Sequence, residues 1–353
     1  MDKNIYGNRI TDNALNADDG RAIINKALEY IKIKYGWIAD KNQVLFSGVY
    51  YDSQKVGSYI VKVKNDKKEK AVLKIQLKPL LFDEGFIIRH IESQNKSLII
   101  RIPKIINDEP WKDALGFGYL IFEDLSGLPN IWKSSITDNA DRKLHGEFLK
   151  EFLNNVLPIT SWFETSIIDF KEAYKKSFAH FFEIAKLSNH KHISANQIEK
   201  NKLAYFKVID NFKFSQFHFT HAHMSGDDIK YDAANNQFIV MANLYWSFRV
   251  NYYELTFPIW VDIMHIRNRD LKLSDIIKRI NSWGLQWRKE LYDHDPTVQK
   301  QYWFNLLERA VTTVMLDLGS SEWPENEIKE KRRLLKIWQE LFDWIIEKKF
   351  SKV

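Results

Sequence analysis

Apolar positions along the chain change period twice. Ala22, Ile24, Ala27, Leu28 and Ile31 recur at helical spacing and predict an amphipathic helix over 19–35. From 43 to 78 the period falls toward two. Val44-Leu45-Phe46, Ser58–Val63 and Ala71–Ile75 read as three antiparallel strands, rich in β-branched and aromatic residues and separated by turn-rich gaps. Lys64-Asn65-Asp66-Lys67 marks a hairpin tip between the last two. Leu80–Glu92 returns to a helical pattern, and Ile99–Ile106 and Gly118–Glu123 are two further strand candidates. After Thr137 the pattern predicts helices over 137–156, 163–187, 195–210, 253–268, 273–292, 295–318 and 324–348. Strand-like sequence interrupts them at 217–247.

Composition narrows the class. The 353 residues are 45% hydrophobic and 14% aromatic, enough to bury a large two-lobed core. No run of about eighteen apolar residues occurs, so no membrane span is expected. The N-terminal Met1-Asp2-Lys3-Asn4 is polar, without a signal-like apolar stretch, and cysteine is absent. A cytoplasmic protein is the expectation. The net charge of +6 is mild, and its local basic runs fit solvated surface, so nucleic acid is not an expected partner.

The chemistry concentrates in Phe219-Thr220-His221-Ala222-His223-Met224-Ser225-Gly226-Asp227-Asp228-Ile229, with Asn243 fifteen residues past Asp228. This segment resembles the catalytic stretch of the aminoglycoside phosphotransferase and choline kinase families, which have a protein-kinase-like fold. Their pattern is His-Gly-Asp, four residues, Asn, then a short strand ending in a metal-binding Asp. His221 matches the first His and Ala222 replaces the Gly. His223 stands at the catalytic Asp, Asp228 at the Asn, and Asn243 at the second Asp.

Further echoes follow in the family's order. Lys74 in Ala71-Val72-Leu73-Lys74 is similar to the strand lysine that contacts ATP phosphates, a long cation on a rigid support. Glu84 matches the helix glutamate that steadies it, with Glu92 as the other candidate. Gly118–Leu125 resembles the hinge, where backbone groups around Phe122, Glu123 and Leu125 would bond the adenine edge. Tyr253-Glu254-Leu255 resembles the Tyr-Asp-Leu after the metal-binding strand, and a phosphate-covering loop would lie within Gly48–Ser58.

The resemblance implies an α+β, two-lobed protein-kinase-like fold, with a small antiparallel β-sheet lobe plus a large mainly helical lobe. The boundaries are 1–125 for the N-terminal helix and nucleotide-binding lobe and 126–353 for the helical lobe, which holds the catalytic-type segment. Lys74 and Glu84 are expected to pair and to face His223, Asp228 and Asn243 across a cleft. ATP and Mg²⁺ are the implied cofactors, the metal held by Asp228 and Asn243 and weakened by the exchanged carboxylate. His223 could accept a proton, since an unperturbed imidazole titrates near about 6.5. A His221–His223 site for a transition metal, completed by Asp227 or Asp228, is a rival reading. Glu254, Asp262, Asp270 and Asp275 could meet a cationic substrate. Tyr245, Trp246, Trp260 and Trp283 could line an apolar pocket, although helix spacing favours core packing. Three classes stay open: an ATP-dependent phosphotransferase acting on a small-molecule hydroxyl, an impaired pseudokinase-like nucleotide binder, and a structural partner protein with neither ligand.

Overall fold

The computed structural model describes residues 14–48, 55–80, 82–131, 139–160, 169–214, 217–225, 228–241, 246–266, 271–291 and 296–351. They fall into two compact units. One contains the described residues of Gly7–Asn130 and Asp227–Trp246, the other those of Ile131–Gly226 and Ser247–Val353.

In the first unit, β1 (Leu15–Asn16) leads into α1 (Ala17–Tyr35), followed by β2 (Ile38–Gly48), β3 (Lys55–Val56), β4 (Ser58–Lys64) and β5 (Lys70–Gln76). Helix α2 (Glu84–Gln94), β6 (Ile100–Arg101), β7 (Ile105–Lys112) and β8 (Phe117–Glu123) complete the early part. Five strands form one antiparallel sheet in the order β2-β4-β5-β8-β7. The β4–β5 turn closes where the Lys68 N–H donates to the Asn65 carbonyl at 2.9 Å.

Side-chain alternation divides the sheet's faces. Val61, Val63, Leu73, Ile75, Tyr119 and Ile121 share one buried cluster with Ile24, Ala27 and Ile31 of α1. Lys74 lies between Leu73 and Ile75 and leaves on the other face, level with Ile60 and Leu120 on the neighbouring strands. Gly118 on β8 fits where no side chain could. A Cβ there would stand 2.6 Å from the Trp111 backbone nitrogen.

Among the boundaries that differ from the sequence pattern, two have a clear local reason. The helix expected from Leu80 starts at Glu84, because Asp83 caps it by accepting the Phe86 N–H at 2.7 Å. The strand expected over 99–106 is split into β6 and β7 around Pro103, which has no N–H to donate.

The segment 229–240 forms a hairpin, Ile229–Asp232 with Gln237–Val240. Its second strand runs parallel to β6, so it is stitched to the first unit. The second unit is mainly helical, with long helices at Phe170–Leu187, Ala195–Asn211, Leu273–Leu291, Pro296–Thr312 and Ile328–Lys349. Phe217–Thr220 and Ser247–Val250 pair antiparallel within it. No helix among the described residues is long and apolar enough to cross a membrane.

Candidate functional site

Lys74 and Glu84 meet as the order of motifs predicts. The ammonium donates to Glu84 Oε1 at 2.6 Å, with only 4% and 1% of the two residues exposed. Glu92, the other candidate, is exposed. Glu84 occupies the first turn of α2, so the Asp83 cap sets where its carboxylate points. Its second oxygen accepts no hydrogen bond among the described residues. Burial pushes the Glu84 carboxyl above its ordinary range, and the facing ammonium pulls it back. Asp83 and Asp228 both raise it further through their negative charge. The field of Asp228 thus reaches the Lys74–Glu84 pair from a segment far away in sequence. The Asp228 carbonyl accepts the Met241 N–H at 2.7 Å, which extends the 229–240 hairpin by one pair. Asn243 and Asp227 lie outside the described residues.

The hinge is pinned at its start. Arg101 grips the Glu123 carboxylate with both guanidinium nitrogens, and the Lys104 N–H donates to the same carboxylate at 2.8 Å. The Glu123 N–H is spent on the Lys104 carbonyl. One residue on, Asp124 accepts the Ser126 N–H at 2.9 Å, and Lys62 lies 3.6 Å away. Burial would raise the Asp124 carboxyl, but Ser126 and Lys62 outweigh it and hold it below its usual range. Phe122 and Leu125 are buried. Arg101 and Lys62 were not singled out from sequence, since a basic residue in a strand carries no mark of its eventual partner. Residues 49–54, the middle of the expected phosphate-covering loop, lie outside the described residues.

The other half of the motif sits in the second unit. His221 is fully buried, and Ala222 takes a φ of +52°, the left-handed region that favours glycine. Ala222 therefore carries a methyl group in a glycine-type conformation. His223 is half-buried, its ring 5.3 Å from that of Phe257 in an edge-on arrangement. Among the described residues no group of three His, Asp or Glu side chains could hold a metal ion. Of the two Mg²⁺ candidates, Asp228 and Asn243, only Asp228 lies among the described residues, and a carboxylate is a suitable oxygen donor for Mg²⁺.

Two of the four carboxylates considered for a cationic substrate are committed internally. Glu254 is fully buried and accepts hydrogen bonds from Thr220 Oγ1 and, at 3.2 Å, from His218 Nε2. Asp262 takes Arg279 at 2.8 and 3.0 Å and the Trp283 indole N–H at 3.1 Å. Asp275 accepts the Lys272 N–H at its helix start, and Asp270 lies outside the described residues. Of the four aromatic candidates, Trp246 and Trp283 are buried, Trp260 is half-buried and Tyr245 lies outside the described residues.

No model of a known protein family matches the chain, and no curated protein matches it. Solved structures do. An amicoumacin kinase in complex with AMP-PNP, Ca²⁺ and Ami superposes with a TM-score of 0.60 at 14% identity, covering 92% of this chain and 96% of that one. The fold is protein-kinase-like. A putative aminoglycoside phosphotransferase from Ralstonia eutropha (TM-score 0.48, 9% identity) covers 92% of this chain and 98% of its own. A spectinomycin phosphotransferase with ADP and spectinomycin (0.45, 13%) covers 92% and 96%. At 14% identity the amicoumacin kinase establishes the α+β, protein-kinase-like architecture and not the chemistry. Within that kinase fold, Lys74, Glu84 and Asp228 come together in the first unit, while His221 to His223 belong to the second.

Proposed function

We propose that the chain is an aminoglycoside-phosphotransferase-like protein that binds an adenine nucleotide and is impaired or altered in phosphoryl transfer to a small-molecule hydroxyl. The observation that carries this reading is the buried Lys74–Glu84 pair. Taking two charges out of water is costly, and a well-packed apolar pair would serve stability as well or better. A ligand with negative charge gives such a pair a reason to persist. Lys74 keeps two N–H donors beyond the one aimed at Glu84, which suits a phosphate pair. Backbone groups of Phe122–Leu125 would take the adenine edge, apart from the Glu123 N–H and the Leu125 carbonyl, which are already engaged. The amicoumacin kinase of the same fold is a complex with AMP-PNP and Ca²⁺, which supports a nucleotide with a divalent cation here. Mg²⁺, when bound, would neutralise phosphate charge, and Asp228 with Asn243 would hold it.

Impairment is argued from His223, which brings no carboxylate charge to orient a hydroxyl. Loss of one well-placed proton acceptor typically costs about 10²–10⁴-fold in rate. Calorimetry with ATP, with and without Mg²⁺, tests the binding reading. Saturable heat is expected, with modest strengthening by Mg²⁺ and a loss of at least about tenfold in Lys74→Met. No heat and no thermal shift at millimolar ATP would favour the structural-partner reading instead. Phosphate release by His223→Asp/Asn243→Asp then tests impairment, and a rise over wild type is expected.

A second reading has one observation in its favour. The His223 ring is half-buried rather than sealed in the core, so it can meet a solvent-borne acceptor as a base. In that case the double variant lowers turnover instead of raising it.

A further inference from the structure

The helical unit contains a cavity of about 320 Å³ that the phosphotransferase reading does not use. We infer that it is a binding site for an uncharged, planar, largely apolar ring system carrying one hydrogen-bond acceptor. Three independent observations converge on it.

The first is the lining. Leu255, Ile280, Leu285 and Val298 supply aliphatic surface, and Trp287 and Tyr302 supply aromatic surface. The size lies within the range of small-molecule pockets, about 300–1,000 Å³. Among the described residues no charged side chain lines it, so a polycation finds no counter-charge there.

The second is an unspent donor. Trp287 is 1% exposed, and its indole N–H has no acceptor among the described residues. A buried donor left unmade carries a desolvation cost, which a ligand acceptor would remove. Its neighbour Trp283, one helical turn earlier, donates its indole N–H to Asp262.

The third is Gly284, inside the helix Leu273–Leu291 and on the cavity wall. Glycine in a helix interior is less stable than alanine by about 0.5–1 kcal/mol. Neither packing nor backbone demands it here. A Cβ would meet nothing nearer than Tyr302 at 3.9 Å, an ordinary contact, and Gly284 is not among the residues with positive φ. The effect of the missing side chain is open volume on the cavity wall, facing Tyr302.

The inference is independent of nucleotide binding, and its test keeps the two apart. Coumarin is neutral, planar and bears a carbonyl acceptor. Naphthalene matches its ring system without the acceptor, and spermine is a flexible polycation. In ligand-observed NMR titrations of the full chain, coumarin should bind saturably. Naphthalene should bind about tenfold more weakly, and Trp287→Phe should bring the two probes level. Gly284→Leu should weaken coumarin by at least about tenfold, keep or raise the melting temperature, and leave ATP binding as in wild type. If Gly284→Leu does not fold, Gly284→Ala carries the test and should weaken coumarin measurably. No saturable coumarin binding would overturn the proposal. So would equal binding to wild type and the filled variant, or equal loss of both probes in Trp287→Phe. Spermine binding that the filled variant abolishes would overturn the neutral ligand class.

Discussion

Ala222 is held at a φ of +52°, between the buried His221 and the buried Met224. A Cβ in the left-handed region costs roughly 1–2 kcal/mol, and such strain persists only where the surroundings dictate it. Glycine would remove the clash but loses about 0.5–1 kcal/mol of backbone entropy on folding. Ala222→Gly is therefore expected to be neutral or to stabilise by up to about 1 kcal/mol, read from the denaturation midpoint at unchanged m-value. A loss of more than about 1 kcal/mol would mean that the methyl's packing, and not the backbone, governs this position. The resemblance places a glycine at this position and says only that Ala222 replaces it. That a methyl-bearing residue takes a left-handed turn there could not be read from sequence, because alanine has no preference for it. The Lys74–Glu84 pair was legible because strand, helix and spacing agreed. The pinning of Glu123 by Arg101 was not, since it joins segments with no shared motif.

At the level of elements, the strand Phe217–Thr220 is fastened to the turn Tyr253–Leu255 through one carboxylate. Glu254 takes both Thr220 and His218, and it lies completely inside the protein. Burial would raise its carboxyl, but His218 and Thr220 overcome that and hold it below the usual range. A depressed carboxyl stabilises the fold above its unfolded pKa, about 4.3, and the contribution fades as pH falls through the lower folded value. Glu254→Ala leaves two polar side chains without their acceptor and should cost on the order of 3 kcal/mol at neutral pH by denaturant titration. Glu254→Gln keeps an acceptor, so it should lose less and show a flatter acid limb. A loss under about 0.5 kcal/mol for the alanine variant would remove Glu254 from the role of fastener. The antiparallel sheet and most helices were legible because hydrophobic period reports which face is buried. The parallel match of β6 with Phe238–Ile239 was not, because two-residue strands leave no periodic trace and their partners lie far apart in sequence.

Across the whole molecule, acid acts on different buried groups with opposite sign. In the helical unit burial pushes the His145 imidazole down to about 3, so folding excludes its proton. The unfolded chain binds that proton from about pH 6.5 downward, and stability is lost progressively between there and about pH 3. In the first unit burial raises Glu84 and Asp83, so folding penalises their charged forms. That penalty is present above their folded values and is relieved as pH falls through them. Hydrogen exchange at pH 5 and pH 7 should show protection falling around His145 while that around Asp83 and Glu84 holds or gains. His145→Phe should flatten the loss in the helical unit, and an unchanged slope would exclude His145 as its source.

The hairpin 229–240 belongs to the same compact unit as the N-terminal sheet although nearly half of the second unit precedes it in the chain. On the ribosome, a nascent chain that has reached only Asn130 lacks the strands that cover β6 and the backbone partner that Lys230 offers at Asn130. The first-synthesised part of the protein must therefore wait for the later part before it is complete, which makes an N-terminal fragment a poor stand-in for it and truncation after the hinge a poor route to a soluble sheet.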